Sequence, residues 1–247
     1  MNKFYALISG EPESINVEII AKSWFKFKNH KGRKFFIIGS YDLIKKQLSR
    51  IKINIPLNKI KDLKEVKYKK FLNIYDVHLK FKDPFNISNK RKTKYIFDCF
   101  MIGHNLSSKK IIKGFINCAI DKNIFDKKFN GVTEYLAKLC NKNDEVMLIY
   151  NKKLSISPLT THIKLKDVAE NINKKLIIKK ISSLNRNYKK LFKIKPKLAI
   201  LSLNPHNSEG RKDSEESKII IPAIKYLKKL NINVNGPFPA DTIFLKQ

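Results

Sequence analysis

The chain has 247 residues, 43% hydrophobic and 11% aromatic, and 52 Lys and Arg against 21 Asp and Glu leave a formal net charge of +31. That is apolar material for one large core or two modest ones, which excludes a disordered chain. Its longest apolar runs, such as 35–38, fall far short of the roughly 20 residues that span a bilayer, so no membrane partner is expected.

In chain order, residues 4–9 read as a buried first strand. Its apolar stretch stops at Gly10-Glu11-Pro12, before the length of a signal h-region, and the protein is expected to be cytoplasmic. Residues 13–24 follow as a helix with Ile15, Ile19 and Ile20 facing inward, 34–38 as a second strand and 41–50 as a second helix. The stretch 51–81 is irregular and strand-rich, 92–106 reads as a helix and 112–120 as a buried strand. Alternation then resumes with a helix at 132–140, a strand at 145–150, a long helix at 174–192, a strand at 197–203, a helix at 214–230 and a short strand at 232–234. The pattern predicts an α/β fold with a largely parallel sheet. No Gly/Ser-rich linker marks a boundary, and the expected domains are 1–120 and 121–247.

Lysine is spread along the whole chain with Ile and Asn, three residues with A/T-rich codons, and the richest stretches, 61–70 and 174–180, are interleaved with apolar residues. Such runs form a solvated face rather than a nucleic-acid-binding tail, so nucleic acid is not an expected partner. The surplus charge would still raise the local concentration of phosphorylated substrates. Cys99, Cys118 and Cys140 contain no C-x-x-C pair and read as reduced core residues.

No G-x-G-x-x-G, P-loop, G-x-S-x-G or H-E-x-x-H motif is present. What remains are polar residues at the carboxyl ends of apolar strands, where open parallel sheets place their ligands. His206, in LNPHNSEG at 203–210, follows the 197–203 strand, and the Asn204-Pro205 step imposes an extended or turning backbone. His162, in TTHIKLKDV at 160–168, has a similar exit position after Pro158. Taken alone, either histidine is more often a hydrogen-bonded structural residue than a ligand. His30, His78 and His104 read as structural.

The segments ISGEPESINVEI at 8–19, NCAIDK at 117–122, GVTEYLA at 131–137, TTHIKLKDV, LNPHNSEG and GPFPADTIF at 236–244 occur in the order and approximate spacing of the 4-hydroxythreonine-4-phosphate dehydrogenase family, which the chain resembles from its first strand to its end. The resemblance implies an isocitrate/isopropylmalate dehydrogenase-like fold, with two α/β domains around a cleft and a homodimer with the site at its interface. It also implies NAD as cofactor, bound without the Rossmann glycine loop, and a divalent metal, zinc, cobalt or magnesium. The implied reaction is oxidation of 4-phosphooxy-L-threonine in pyridoxal phosphate biosynthesis. On this resemblance His162 and His206 are two of three histidine metal ligands, Thr133 binds substrate, Lys122 borders the same cleft, and Asp241 orients a ligand or the substrate amine. Thr133 has a second reading as a helix N-cap.

The sequence departs from the family pattern in places. Val132 replaces the histidine of GHTE at a substrate-binding position, Cys118-Ala119 replaces a Gly-Pro, and Ser14 and Asn16 stand where the family has glycines, putting a close backbone approach in doubt. Family members continue past the motif that ends at Phe244, so the C-terminal part of the fold, with the third histidine, is expected to be missing. Two alternatives to the dehydrogenase are a paralogue acting on 4-phosphorylated threonate or erythronate and an inactive, poorly soluble fragment.

Overall fold

The structure, a computed structural model, describes residues 4–30, 34–125, 129, 131–161, 163–204 and 206–244. The chain divides into two compact units, Met1–Lys128 and Phe129–Gln247, each with its own apolar cluster.

The first unit is a doubly wound α/β layer structure. Its strands are β1 (Phe4–Ile8), β2 (Lys34–Gly39), β3 (Leu57–Ile60), β4 (Leu72–Asp76) and β5 (Phe115–Asn117), and its helices are α1 (Asn16–Phe27), α2 (Tyr41–Arg50) and α3 (Asn89–Ser108). All strand pairs are parallel, in the order β3-β4-β2-β1-β5. Phe36, Ile37 and Ile38 of β2 are wholly buried, as a strand covered on both faces requires. Ile37 joins Val17, Ile20, Ala21 and Trp24 of α1 and Ile44 and Leu48 of α2 on one face. On the other face α3 approaches so closely that a Cβ on its Gly103 would lie 3.2 Å from Ile8 and 3.3 Å from Phe115.

Three expectations are corrected here. The buried stripe of α1 is Val17, Ile20, Ala21 and Trp24, while Ile15 and Ile19 are 66% and 46% exposed. Helical spacing was present in both sets, but the helix begins at Asn16, and its bulky Trp24 sets which face meets the sheet. The strand at 112–120 shrinks to Phe115–Asn117, an edge strand whose Ile116 is 62% exposed. Of the cysteines only Cys99 is a core residue, with Cys118 half-buried and Cys140 exposed.

The close approach placed in doubt by Asn16 and Ala119 is kept. The Glu11 N–H donates to the Ala119 carbonyl at 2.9 Å, and Asn16 clamps the same turn, its Nδ2 donating to Ala119 O at 2.8 Å and its Oδ1 accepting from Ala119 N at 3.2 Å. Gly10 has φ +73°, and a Cβ there would meet Ala119 O at 2.5 Å and Asn16 Nδ2 at 2.6 Å, so only glycine fits.

The second unit holds α4 (Val132–Leu139), a single turn α5 (Val168–Asn171), α6 (Lys174–Phe192), β6 (Leu198–Leu201), α7 (Ile221–Lys229) and β7 (Val234–Phe238). β6 and β7 pair in parallel, and Ile177, Ile220, Ala223, Ile224 and Leu227 pack with Ile232 and Val234. A strand at 145–150 does not form. Ile149 bridges only to Ile156 of the returning chain, and the segment is tied to α6 instead, Ser183 Oγ donating to Asp144 O at 2.7 Å beside an Arg186–Asp144 ion pair. The helix expected at 214–230 is two pieces, a wide π turn Glu216–Ile220 and then α7, because Pro222 in the first turn of α7 offers no N–H to an α-helical ladder. Among the described residues no helix is long and apolar enough to cross a membrane.

Candidate active site

The carboxyl edge of the β6–β7 pair carries two of the residues singled out in the sequence. Because the strands are parallel and Leu201 is in register with Phe238, the chains that leave them emerge side by side. The first carries His206 and the second Asp241, both exposed. Ser202 sews the two exits together, its N–H donating to Phe238 O at 2.8 Å while its Oγ lies 2.6 Å from Asn204 O and 3.1 Å from Phe238 O. In the middle of β7, Gly236 has φ +128°, and a Cβ there would stand 2.3 Å from Ile200 O, so the close pairing depends on glycine.

The loop after β6 is tightly folded. Asn207 N donates to Asn204 O at 3.1 Å and Glu209 N to His206 O at 3.0 Å, and Asn207 and Glu209 both adopt φ +52°, a left-handed conformation costing non-glycine residues about 1 kcal/mol or more each. Glu216, at the start of the π turn, reaches back into this loop. Its side chain is almost fully buried, and Oε1 accepts from Leu203 N at 2.9 Å, Asn204 N at 3.1 Å and Asn204 Nδ2 at 3.4 Å. Sequence reading missed Glu216. Its one signal was a run of acids, Asp213, Glu215 and Glu216, ahead of an apolar helix in an otherwise basic chain.

The other candidates lie elsewhere in the chain. Val132, half-buried, and Thr133, exposed, open α4. The N-cap of that helix is Gly131, so the capping alternative for Thr133 is overturned: it sits one residue inside the helix. Lys122 belongs to the first unit, exposed at the start of a 3₁₀ turn just after β5. That is the side of β1 on which the strand order reverses, the topological switch point of the sheet. His162 lies outside the described residues.

The donors present fit one side of a metal centre of the kind that the resemblance implies. His206 offers an exposed imidazole, and beside it Asn207 Oδ1 is buried with no hydrogen-bond partner among the described residues. No three His, Cys, Asp or Glu residues cluster as a complete metal site among the described residues. The turn after β1, where a Rossmann fold cradles pyrophosphate, does not fit that role. Glu11 and Glu13 occupy it, Asn16 closes it, and the cavity there measures about 10 Å³, space for a single water.

Residues 31–247 match the family model of the pyridoxal phosphate biosynthetic protein PdxA. The 4-hydroxythreonine-4-phosphate dehydrogenase of a Sulfurihydrogenibium species is 33% identical over 97% of this chain and 75% of its own length, and that of Aquifex aeolicus is 33% identical over 99% and 77%. The crystal structure of the same enzyme from Klebsiella pneumoniae superposes with a TM-score of 0.86 at 25% identity, covering 98% of this chain and 77% of that one. The chain thus spans about three quarters of the length of the relatives it matches. With its α/β architecture and the LNPH and PADT loops at one sheet edge, the chain belongs to the PdxA family of pyridoxal phosphate biosynthesis, whose relatives here are dehydrogenases.

Proposed function

We propose that the protein oxidises the C3 hydroxyl of 4-phosphooxy-L-threonine, giving a β-keto acid that loses carbon dioxide to yield 3-amino-2-oxopropyl phosphate. The observation that carries this reading is the His206 loop at the carboxyl edge of β6, beside the exit of β7 that bears Asp241. When bound, NAD accepts the hydride, and a divalent ion (zinc, cobalt or magnesium) lowers the pKa of the hydroxyl and polarises the ketone. His206 supplies one imidazole ligand and His162 a second; neutral imidazoles on loops suit zinc by ligand type. Asp241 fixes the orientation of a ligand histidine or of the substrate amine. The Thr133 hydroxyl binds the phosphorylated substrate, and Val132 fills the position of a family histidine without a hydrogen bond. The enzyme works as a cytoplasmic homodimer with the active site at its interface.

The test is NADH formation from 4-phosphooxy-L-threonine with added zinc or magnesium, for the protein and for His206→Ala. The expected result is turnover by the parent, and for the variant a loss of kcat/KM of at least about 100-fold, near 2.7 kcal/mol of transition-state stabilisation, with unchanged melting. Full activity of His206→Ala would remove it from the metal centre. Turnover confined to 4-phosphorylated threonate or erythronate would move the protein to the paralogous sugar-acid dehydrogenases.

A further inference from the structure

We propose that Glu216 is a positioning residue for His206: its carboxylate anchors the backbone from which the imidazole projects, and so sets the affinity of the site for a divalent ion. The inference rests on reading His206 as a metal ligand.

Glu216 is 1% exposed, and a carboxylate buried to that degree is costly unless it is hydrogen-bonded or paired. Its Oε1 is directed at the N–H groups of Leu203 and Asn204 and at the Asn204 side-chain amide, immediately before the His206 turn. Charge-assisted bonds to two successive amides fix the plane of that peptide and hence the direction in which the chain leaves β6. The opposite side of the same exit is held by Ser202 against Phe238. His206 therefore stands on a segment restrained from two directions, although its own side chain is exposed.

The local fold is arranged to deliver this carboxylate. Ser214 Oγ accepts from Ser217 N at 3.2 Å, and Ser214 Oγ and Ser217 Oγ donate to Arg211 O at 2.9 and 2.7 Å, which ties the start of the helix to the end of the loop. Glu216 is then the first residue of the π turn, a widened turn of a kind frequent at functional sites. A side chain that merely completed the core would need no charge here, and a carboxylate that merely stabilised a helix start would bond the amides of its own first turn. Glu216 instead bonds amides 12 and 13 positions upstream.

The experiment measures Zn²⁺ affinity by competition with a chromophoric chelator, for the protein and for Glu216→Ala, Glu216→Asp, Glu216→Gln, His206→Ala and the His206→Ala/Glu216→Ala double variant. Circular dichroism of the zinc-free forms checks folding, and hydrogen exchange reads the amides of residues 203 and 204. Removing partners that orient a metal ligand typically weakens affinity about 10- to 100-fold, and a loss in that range is expected for Glu216→Ala and Glu216→Asp. Glu216→Gln keeps the Oε1 acceptor and should hold most of the affinity. In the His206→Ala background the Glu216→Ala substitution should have no further effect on zinc, while exchange at 203 and 204 still accelerates. Should Glu216→Ala fail to fold, Glu216→Asp, which keeps the charge but withdraws it by one methylene, carries the same comparison. An unchanged affinity in His206→Ala would overturn the ligand reading and this inference with it. A loss in His206→Ala with none in either Glu216→Ala or Glu216→Asp would overturn this inference alone, as would an equal effect of Glu216→Ala with and without His206.

Discussion

Asn16 illustrates how one side chain and a turn distant in sequence depend on each other. Where relatives are expected to have a glycine and, a hundred residues away, a proline, this chain has an asparagine whose amide bonds both the N–H and the carbonyl of Ala119. A proline at 119 would have no N–H for the Asn16 oxygen to accept, so the side chain and its partner belong together. Asn16 is 3% exposed and also donates to Glu11 O at 3.3 Å. Asn16→Gly should therefore cost about 1–2 kcal/mol in urea denaturation, from the lost bonds and the added backbone freedom. The cost should be smaller in an Ala119→Pro background, where one of those bonds is already gone. Strict additivity of the two substitutions would show that the clamp contributes nothing as a pair.

Between elements, the most consequential polar link in the first unit joins the β1–α1 turn to α3. Lys92, in the first turn of α3, places Nζ 2.8 Å from Glu13 Oε2 and 3.4 Å from Glu11 Oε1, and Glu13 also accepts the Ile87 N–H just ahead of that helix. Burial alone would raise the pKa of Glu13, but the bonds from Lys92 and Ile87 outweigh it and hold the carboxyl below its ordinary value of 4.5. Between the folded and unfolded values the unfolded chain binds more protons, so this contribution to stability is complete above about 4.5 and is lost as pH falls through the lower folded value. Melting followed from about pH 6 to pH 3 should consequently fall less steeply in Glu13→Gln than in the parent. A residual slope of the same sign is expected from Asp83 and Asp144, whose carboxyls are also held low. Parallel curves for the two proteins would rule out the Lys92 link as a source of acid sensitivity.

At the scale of the whole molecule the net charge of +31 dominates the electrostatics. Several of its ion pairs, such as Lys22–Glu18 and Lys94–Asp98, are solvent-exposed and of the kind that contributes little, so mutual repulsion of cations is poorly offset. Raising ionic strength from 0.01 M to 0.15 M shortens the screening length from about 30 Å to about 8 Å. The melting temperature should rise over that range. A falling one would mean that screened attractive pairs outweigh the repulsion. The same titration separates the enzyme from a nucleic-acid-binding protein, which would form a salt-sensitive complex with random duplex DNA.

The sequence by itself determined the α/β class and the limits of the best-signalled helices. The predicted bounds of α2 and α6 match because both are strongly amphipathic and begin after residues with capping side chains, Ser40 accepting from Leu43 N and Asn173 from Leu176 N. The motif order also sufficed to name the family and to single out His206 and Asp241. What it left open were choices between locally equivalent alternatives. Val17 and Ile19 both fit a helical stripe, and only the sheet beneath α1 decides which is covered. Residues 145–150 have strand composition, yet Glu145 O accepts from Lys180 of α6, Met147 O from Ser157, and Ile149 pairs with Ile156, so these backbone groups find partners without adding a strand to β6 and β7. The pairing of Glu216 with the amides before His206 was illegible for the same reason: it exists only once the intervening loop has closed, and no periodicity encodes the point at which two segments meet.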